Sequence, residues 1–367
     1  MSFPRFSFSL ARAWPALVFT LLPAAAQAAD EAQAADDAQR ALARCVAIAG
    51  APDAGAPVSR AAMGVYLDAL ARARPYCETA ARADLPPPAA LFNLASAQQR
   101  AGDHARAVDN FEAAAAAGLA AARSKLGDYY NFGIGPVEED HARAVAEYRA
   151  AAKAGDLPAM ATLALMHRFA RGVPQDHARM LELLKQAADG GYHFAQLRLA
   201  ELYLDPKGIG RDDAAALGLP DPSRAVEYYA RAAGQGSVTA MLKLAALYAD
   251  DADGIPADAA RYARWVERAA QTGAPRAKAA LGVLLEQGRG VARDPERAAR
   301  LYVEALQSGD VPFGKLRQVG GARAPSWDRA TAIAFQQILR ERGHYRGAID
   351  GIVGPGTAAA ARALVGG

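Results

Sequence analysis

Aromatic side chains are scarce, at 7% of 367 residues, whereas alanine is heavily over-used. That balance argues against a β-sandwich or barrel and for close-packed helices. Neither sign of charge dominates: 42 basic residues stand against 39 acidic ones, giving a formal +3. A dedicated nucleic-acid binder needs a concentrated basic face, so that class is excluded. Beyond the first two dozen residues no apolar run approaches the roughly 20 residues of a membrane span. His-Glu-x-x-His, Gly-x-Ser-x-Gly and Gly-x-x-x-x-Gly-Lys followed by Ser or Thr are all missing, which removes the common zinc-protease, serine-hydrolase and phosphate-loop enzymes. There are only two cysteines, and neither has a histidine or acid pattern beside it that would mark a nucleophile. At roughly 100 to 200 residues per domain, the length predicts two or three domains or one elongated array.

The beginning of the chain reads as a leader. Arg5 and Arg12 precede an apolar stretch from Ala13 to Leu22, and Ala26-Gln27-Ala28 has the small-x-small form of a cleavage site. Residues 1–28 are therefore expected to be a signal peptide, and the protein periplasmic or secreted. Pro15 and Pro23 leave the stretch too short to serve as an anchor. Export into an oxidising compartment favours a bond between Cys45 and Cys77, stapling two helices of an N-terminal cap over 29–88. Two buried free thiols are the alternative.

Repetition carries most of the information. Asp-x-x-Arg recurs at Asp103, Asp140, Asp176, Asp221, Asp258 and Asp294, spaced 37, 36, 45, 37 and 36 residues apart. A period in this range denotes a solenoid. Gly118, Gly155, Gly191, Gly236, Gly273 and Gly309 keep the same spacing, mostly after Ala-Ala-x-x. Each Asp suits a helix N-cap, with Pro222 and Pro295 directly after two of them, and each Gly suits a left-handed C-terminal stop. These bound a helix B whose inward residue lies eight after the Asp: Phe111, Tyr148, Leu184, Tyr229, Val266 and Tyr302. Helix A begins near Ala122, Ala159, Ala195, Ala240 and Ala277, and four residues on come Leu-Gly or Leu-Ala pairs, whose small member lets backbones approach. The expected fold is all-α: a right-handed superhelical solenoid of antiparallel helix pairs, plus a small C-terminal helical module.

On these residues the stretch 119–311 resembles Sel-one-like repeats, relatives of the tetratricopeptide repeat with a longer loop between helices A and B. The third unit has about nine extra residues around Arg211 to Pro220. Residues 89–118 look closer to a plain tetratricopeptide unit, with only nine residues from Leu94 to Asp103 and Ala107 four before Phe111. The resemblance implies protein–protein interaction. Cysteine-rich members of the family are linked to β-lactam binding or hydrolysis, but they staple each repeat with a cysteine pair, and no repeat here contains one.

After a linker at 312–326, residues 327–367 look like the small helical peptidoglycan-binding domain. Gln336 and Leu339 match its first helix, Gly343 and Tyr345 its corner, Asp350-Gly351-Ile352-Val353-Gly354-Pro355-Gly356-Thr357 its turn. The resemblance implies weak glycan association, with Tyr345, Arg346 and Asp350 as the contact candidates.

Other candidates read mostly as scaffold. His104, His141 and His177 share one repeat position, as exposed first-turn residues rather than metal ligands. Asp250, Asp251 and Asp253 form an acidic turn, but a calcium loop would place Ala249 and Ala260 where carboxylates are needed. Tyr130, Tyr203 and Tyr248 recur eight residues after the helix A alanine and are expected to pack on the following loop. Lys125, Arg198 and Lys243 share a helix A position and could line a groove for an acidic peptide, a solvated face being the alternative. No cofactor and no metal is expected. The functional expectation is a non-catalytic cell-envelope adaptor with envelope proteins, and peptidoglycan through the C-terminal module, as partners. A β-lactam-interacting enzyme and a secreted factor binding host proteins are the alternatives.

Overall fold

The computed structural model describes residues 21–50, 60–251, 254–319, 322–323 and 326–364. Most of the expected leader, and the glycines of the expected linker at 320–321, lie outside them. The described chain is almost entirely α-helical, as the period and composition required, and it divides into two compact units. One comprises the residues up to Leu126 except Gly55–Gly64; the other comprises the remainder.

In the first unit, α1 (Leu21–Ala49), α2 (Arg60–Ala80), α3 (Pro88–Arg100) and α4 (His104–Ala116) precede the start of α5 (Ala120–Phe132). Helix α1 runs through the expected cleavage point at Ala28 without a break. Cys45 and Cys77 are bonded. The bridge lies in a small core with Ala49, Leu70, Ala73 and Leu94. Asn93 on α3 donates through Nδ2 to the Gly50 carbonyl at 3.3 Å and to Cys45 Sγ at 3.7 Å, which ties the stapled helices to the next one. Phe92 of α3 meets Phe111 of α4 edge to face at 5.6 Å, joining the two helices of the 89–118 stretch.

The second unit is built from five successive A–B pairs: α5 with α6 (His141–Lys153), α7 (Leu157–Phe169) with α8 (His177–Asp189), and α9 (His193–Leu204) with α11 (Pro222–Gly234). The last two are α12 (Val238–Leu247) with α13 (Ala259–Gln271) and α14 (Pro275–Gln287) with α15 (Pro295–Gln307). The extra residues of the third pair form a short helix, α10 (Arg211–Ala216), whose Ala214 and the following Leu219 are buried in the shared core.

Local chemistry sets these boundaries. Asp140, Asp176, Asp221, Asp258 and Asp294 each accept the backbone N–H three residues on, at 2.8 to 3.1 Å, satisfying a donor the helix itself cannot. Their own N–H groups reach back to helix A: Asp221 N donates to the Tyr203 carbonyl at 2.7 Å and Asp294 N to that of Leu285 at 2.9 Å. One residue thus starts helix B and closes the A–B loop. At the other end Gly155 turns left-handed with φ 92°, and Asp156 N donates to Ala151 O at 3.0 Å, closing a Schellman turn. Asp156 then caps α7 through Ala159 N at 2.7 Å.

The C-terminal segment completes the second unit: a 3-10 turn (Phe313–Lys315), a two-residue antiparallel ladder of β1 (Gln318–Val319) with β2 (Ala322–Arg323), then α16 (Arg329–Glu341) and α17 (Pro355–Ala363). Phe335, Leu339, Ala360, Ala361 and Leu364 share one core with Tyr302, Val303 and Leu306 of α15. Within the stretch expected as a linker, Leu316 is wholly buried and Arg317 is 8% exposed. Leu316 shares that core with Tyr302, Val303 and Leu306, so this part of the stretch packs on the apolar face of the last repeat.

Candidate functional site

The side chain eight residues into each helix B is a core residue, and in two pairs it is a tyrosine set on a glycine. A Cβ at Gly127 would stand 2.6 Å from Tyr148 Cε1, and a Cβ at Gly282 equally close to Tyr302 Cε1. Tyr148 OH donates to Asp128 at 2.7 Å and Tyr302 OH to Glu286 at 2.6 Å. Burial first, then the adjoining carboxylate, pushes both phenols above their ordinary value.

The recurrent helix A tyrosines pack as expected, and the tetrad arginine supplies their lid. Arg143 lies over Tyr130 at 5.2 Å, Arg224 over Tyr203 at 5.6 Å and Arg261 over Tyr248 at 5.4 Å. Where the position holds His167 or Leu285, the arginine turns to a carboxylate: Arg179 to Glu182 at 2.6 Å, Arg297 to Glu267 at 2.7 Å. The tetrad therefore does two jobs, its Asp capping the helix and its Arg covering the loop.

The first-turn histidines are not exposed, which corrects the expectation. The side chain of His141 is 29% exposed and that of His177 10%; His104 is half-buried. At His141 the A–B loop of the following repeat covers the turn: a Cβ at Gly172 would lie 2.5 Å from the His141 carbonyl oxygen. At His177 the inserted helix α10 takes that place, with Asp213 at 3.1 Å from Nδ1. Among the described residues no group of three His, Cys, Asp or Glu side chains is placed to hold a metal ion. Asp251 accepts Ala257 N at 2.7 Å, while Ala252 and Asp253 of that turn lie outside the described residues.

Of the groove candidates, Arg198 and Lys243 are exposed at equivalent positions on α9 and α12, in successive repeats. Arg198 also pairs with Glu201 at 3.1 Å and lies over the Phe194 ring at 5.1 Å. Lys125 belongs to the other unit, where it is half-buried.

The C-terminal turn is organised around Gln336, which is completely buried. Its Nε2 lies 3.0 Å from Asp350 Oδ1 and from the Ile352 carbonyl, 3.3 Å from Thr357 Oγ1 and 3.4 Å from Tyr345 OH. Its Oε1 accepts Gly351 N at 2.9 Å. Tyr345 OH donates in turn to the Ala348 carbonyl at 2.9 Å. The hydrogen bond from Gln336, with a backbone one from Ile352 N, holds the Asp350 carboxyl below the usual range. Two of the three glycan-contact candidates are thus brought together by hydrogen bonds within the turn, with Tyr345 half-buried and Asp350 exposed. Arg346 and Ile352 are exposed.

Sequence reasoning missed a buried hub. Glu286, 3% exposed at the end of α14, accepts Tyr302 OH, Arg317 Nε at 3.0 Å and Asp328 N at 2.7 Å. Arg317 stacks over Trp327 at 4.9 Å. One carboxylate therefore fastens the last repeat to the C-terminal helices. In the other four pairs the equivalent residue is Asn131, Arg168, Leu204 or Ala249, and that break from the pattern was the available signal.

Fold and surface together define a helical-repeat protein whose recurring residues serve packing. The Sel1 repeat model matches residues 120–156, 157–192, 193–219, 217–237, 238–273 and 275–310, the third pair being split over two stretches of which the first contains the inserted helix. The chain belongs to the Sel1 repeat family. Among curated proteins it is 37% identical over 92 residues to chitin synthase regulatory factor 3 of Schizosaccharomyces pombe, covering 25% of this chain and 10% of that protein. It is 37% identical over 106 residues to the chitin synthase regulator SKT5 of Saccharomyces cerevisiae, covering 28% and 15%. The chain thus spans a small fraction of either relative. Among solved structures, a Sel1 repeat protein from Oxalobacter formigenes aligns at 25% identity and TM-score 0.47, over 68% of this chain and 98% of that one. The c5321 protective antigen of uropathogenic Escherichia coli aligns at 21% identity and TM-score 0.40, over 84% and 85%.

These comparisons correct the expected location. The curated relatives are yeast regulators of chitin synthase rather than proteins of a bacterial periplasm, so the periplasmic or secreted assignment is withdrawn. No described helix is long and apolar enough to cross a membrane.

Proposed function

We propose that the chain is a non-catalytic adaptor that regulates a protein partner by holding an acidic segment of it along the helix A side of the repeats. The observation that carries this is the recurrence of an exposed cation, Arg198 then Lys243, at one repeat position while the surrounding recurrent residues are spent on packing. A repeat array offers an extended surface, and matched charge steers a partner and sets its register. The relatives' names, which describe regulation of another enzyme, favour the same reading. In this reading residues 119–311 carry the surface and 327–367 close its end. The test is cross-linking and capture with the full chain and with Arg198→Glu/Lys243→Glu. Loss of one discrete partner, restored by low salt, is expected; an unchanged partner set for the variant refutes the groove.

A second reading gives the C-terminal turn weak affinity for peptidoglycan. What favours it is that Arg346 and Ile352, both in the segment that forms the turn, are exposed, Ile352 to 69%. Co-sedimentation with purified sacculi decides: the full chain should pellet and Arg346→Glu/Ile352→Ser should not. Equal pelleting of the two, or none of either, refutes it.

A further inference from the structure

In the fifth pair, the position that holds a tyrosine in the first, third and fourth is Leu285. The backbone frame around it is unchanged, since Asp294 N reaches the Leu285 carbonyl at 2.9 Å just as Asp221 N reaches that of Tyr203 at 2.7 Å. The ring is absent, and an open cleft of about 560 Å³ lies there, lined among others by Leu285, Val291, Asp294, Arg297 and Glu267. Its floor is apolar, with Leu285 3% exposed and Val291 packed on the core. Its rim is charged: Arg297, 44% exposed, reaches across to Glu267 on α13.

We propose that this cleft receives a tyrosine side chain of the protein partner, filling from outside the place that Tyr130, Tyr203 and Tyr248 fill from within. The argument is one of charge complementarity already realised three times in the chain. A guanidinium at this position covers a ring in those three pairs, and Arg224 Nη1 also donates to Tyr203 OH at 3.2 Å. Arg297 has the same place in the tetrad and an exposed guanidinium, so an incoming ring meets its positive face, and the phenolic oxygen meets a donor. The volume is in the range of clefts that take small groups. The inference rests on the adaptor reading but concerns a different surface from Arg198 and Lys243.

The test is methyl NMR of the full chain titrated with N-acetyl-L-tyrosinamide. Saturable shifts at the Leu285 and Val291 methyls are expected, at least threefold weaker in affinity with N-acetyl-L-leucinamide. Leu285→Tyr should remove the Val291 shifts by filling the cleft from inside. Should that variant not fold, Arg297→Gln decides, with affinity expected to fall several-fold. Absence of saturable shifts, equal binding of the two amides, or unchanged binding by Arg297→Gln overturns the proposal. A partner still lost on Arg198→Glu/Lys243→Glu would then leave the adaptor reading standing.

Discussion

The ring of Tyr302 occupies space that only glycine at position 282 leaves open: a Cβ there would lie 2.6 Å from Cε1 and 2.9 Å from Cδ1. The ring is wholly buried and its hydroxyl is held by Glu286, so it has no room to swing aside. Gly282→Ala should therefore destabilise the second unit by about 1 to 3 kcal/mol despite alanine's better helix propensity. Urea unfolding reads this directly, and a variant as stable as the parent would show that the helices separate freely. Gly127→Ala against Tyr148 should behave alike.

Glu286 and Arg317 form an ion pair at 2.9 Å with side chains 2% and 9% exposed. Removing either partner alone, as in Arg317→Met, leaves a buried charge and should cost about 3 to 5 kcal/mol. The loss should appear first as faster hydrogen exchange in α16 and α17. The double variant Glu286→Leu/Arg317→Met should recover much of it. If the single and double variants are equally weak, the hub is a packing site rather than an electrostatic one.

Each capping aspartate holds one otherwise unpaired N–H, so Asp258→Ala should cost about 1 kcal/mol and Asp258→Asn much less. Denaturation of the pair, side by side, measures the difference. Equal losses would assign the residue's value to its ion pair with Arg261, 3.2 Å away, instead of the cap.

Cys45 and Cys77 close a loop with a sequence separation of 32. Thiol titration of chain purified and denatured without reductant should find no free sulfhydryl. Replacing both with serine should lower the stability of the first unit by about 3 to 4 kcal/mol in the chain-entropy account. Two reactive thiols per chain would exclude the bridge.

Alkaline pH should unfold the repeats. Burial pushes Tyr129, Tyr228 and Tyr229 up to about 12, and Tyr148 and Tyr302 are raised as well. A phenol raised in the folded state contributes stability that is complete below its unfolded value near 10 and is lost as pH climbs through the folded value. Phenolate absorbance should therefore show a normal group near pH 10 and a second rise near 12 that coincides with loss of helical circular dichroism. All 13 tyrosines ionising near 10 with helicity intact would contradict it.

The helix boundaries, the pairing of A with B and the family were legible from sequence because the interactions that set them act over a few residues. Asp140 caps three positions away, and Gly155 turns the chain where it stands. Repeated in phase, such short-range signals add up. The packing of Tyr203 was legible too, from its period, but the arginine covering it lies 21 residues on, across the loop. What only the tertiary structure decided are contacts between residues far apart in the chain. Glu286 and Arg317 are 31 apart, and neither carries a motif. Tyr345 and Asp350 matched a glycan-binding turn by type, and buried Gln336 hydrogen-bonds to both from 9 and 14 residues away while Asp350 stays exposed. A residue's type states what it can bond to; its burial, which the packing of the whole chain sets, determines whether the partner is another side chain or something outside.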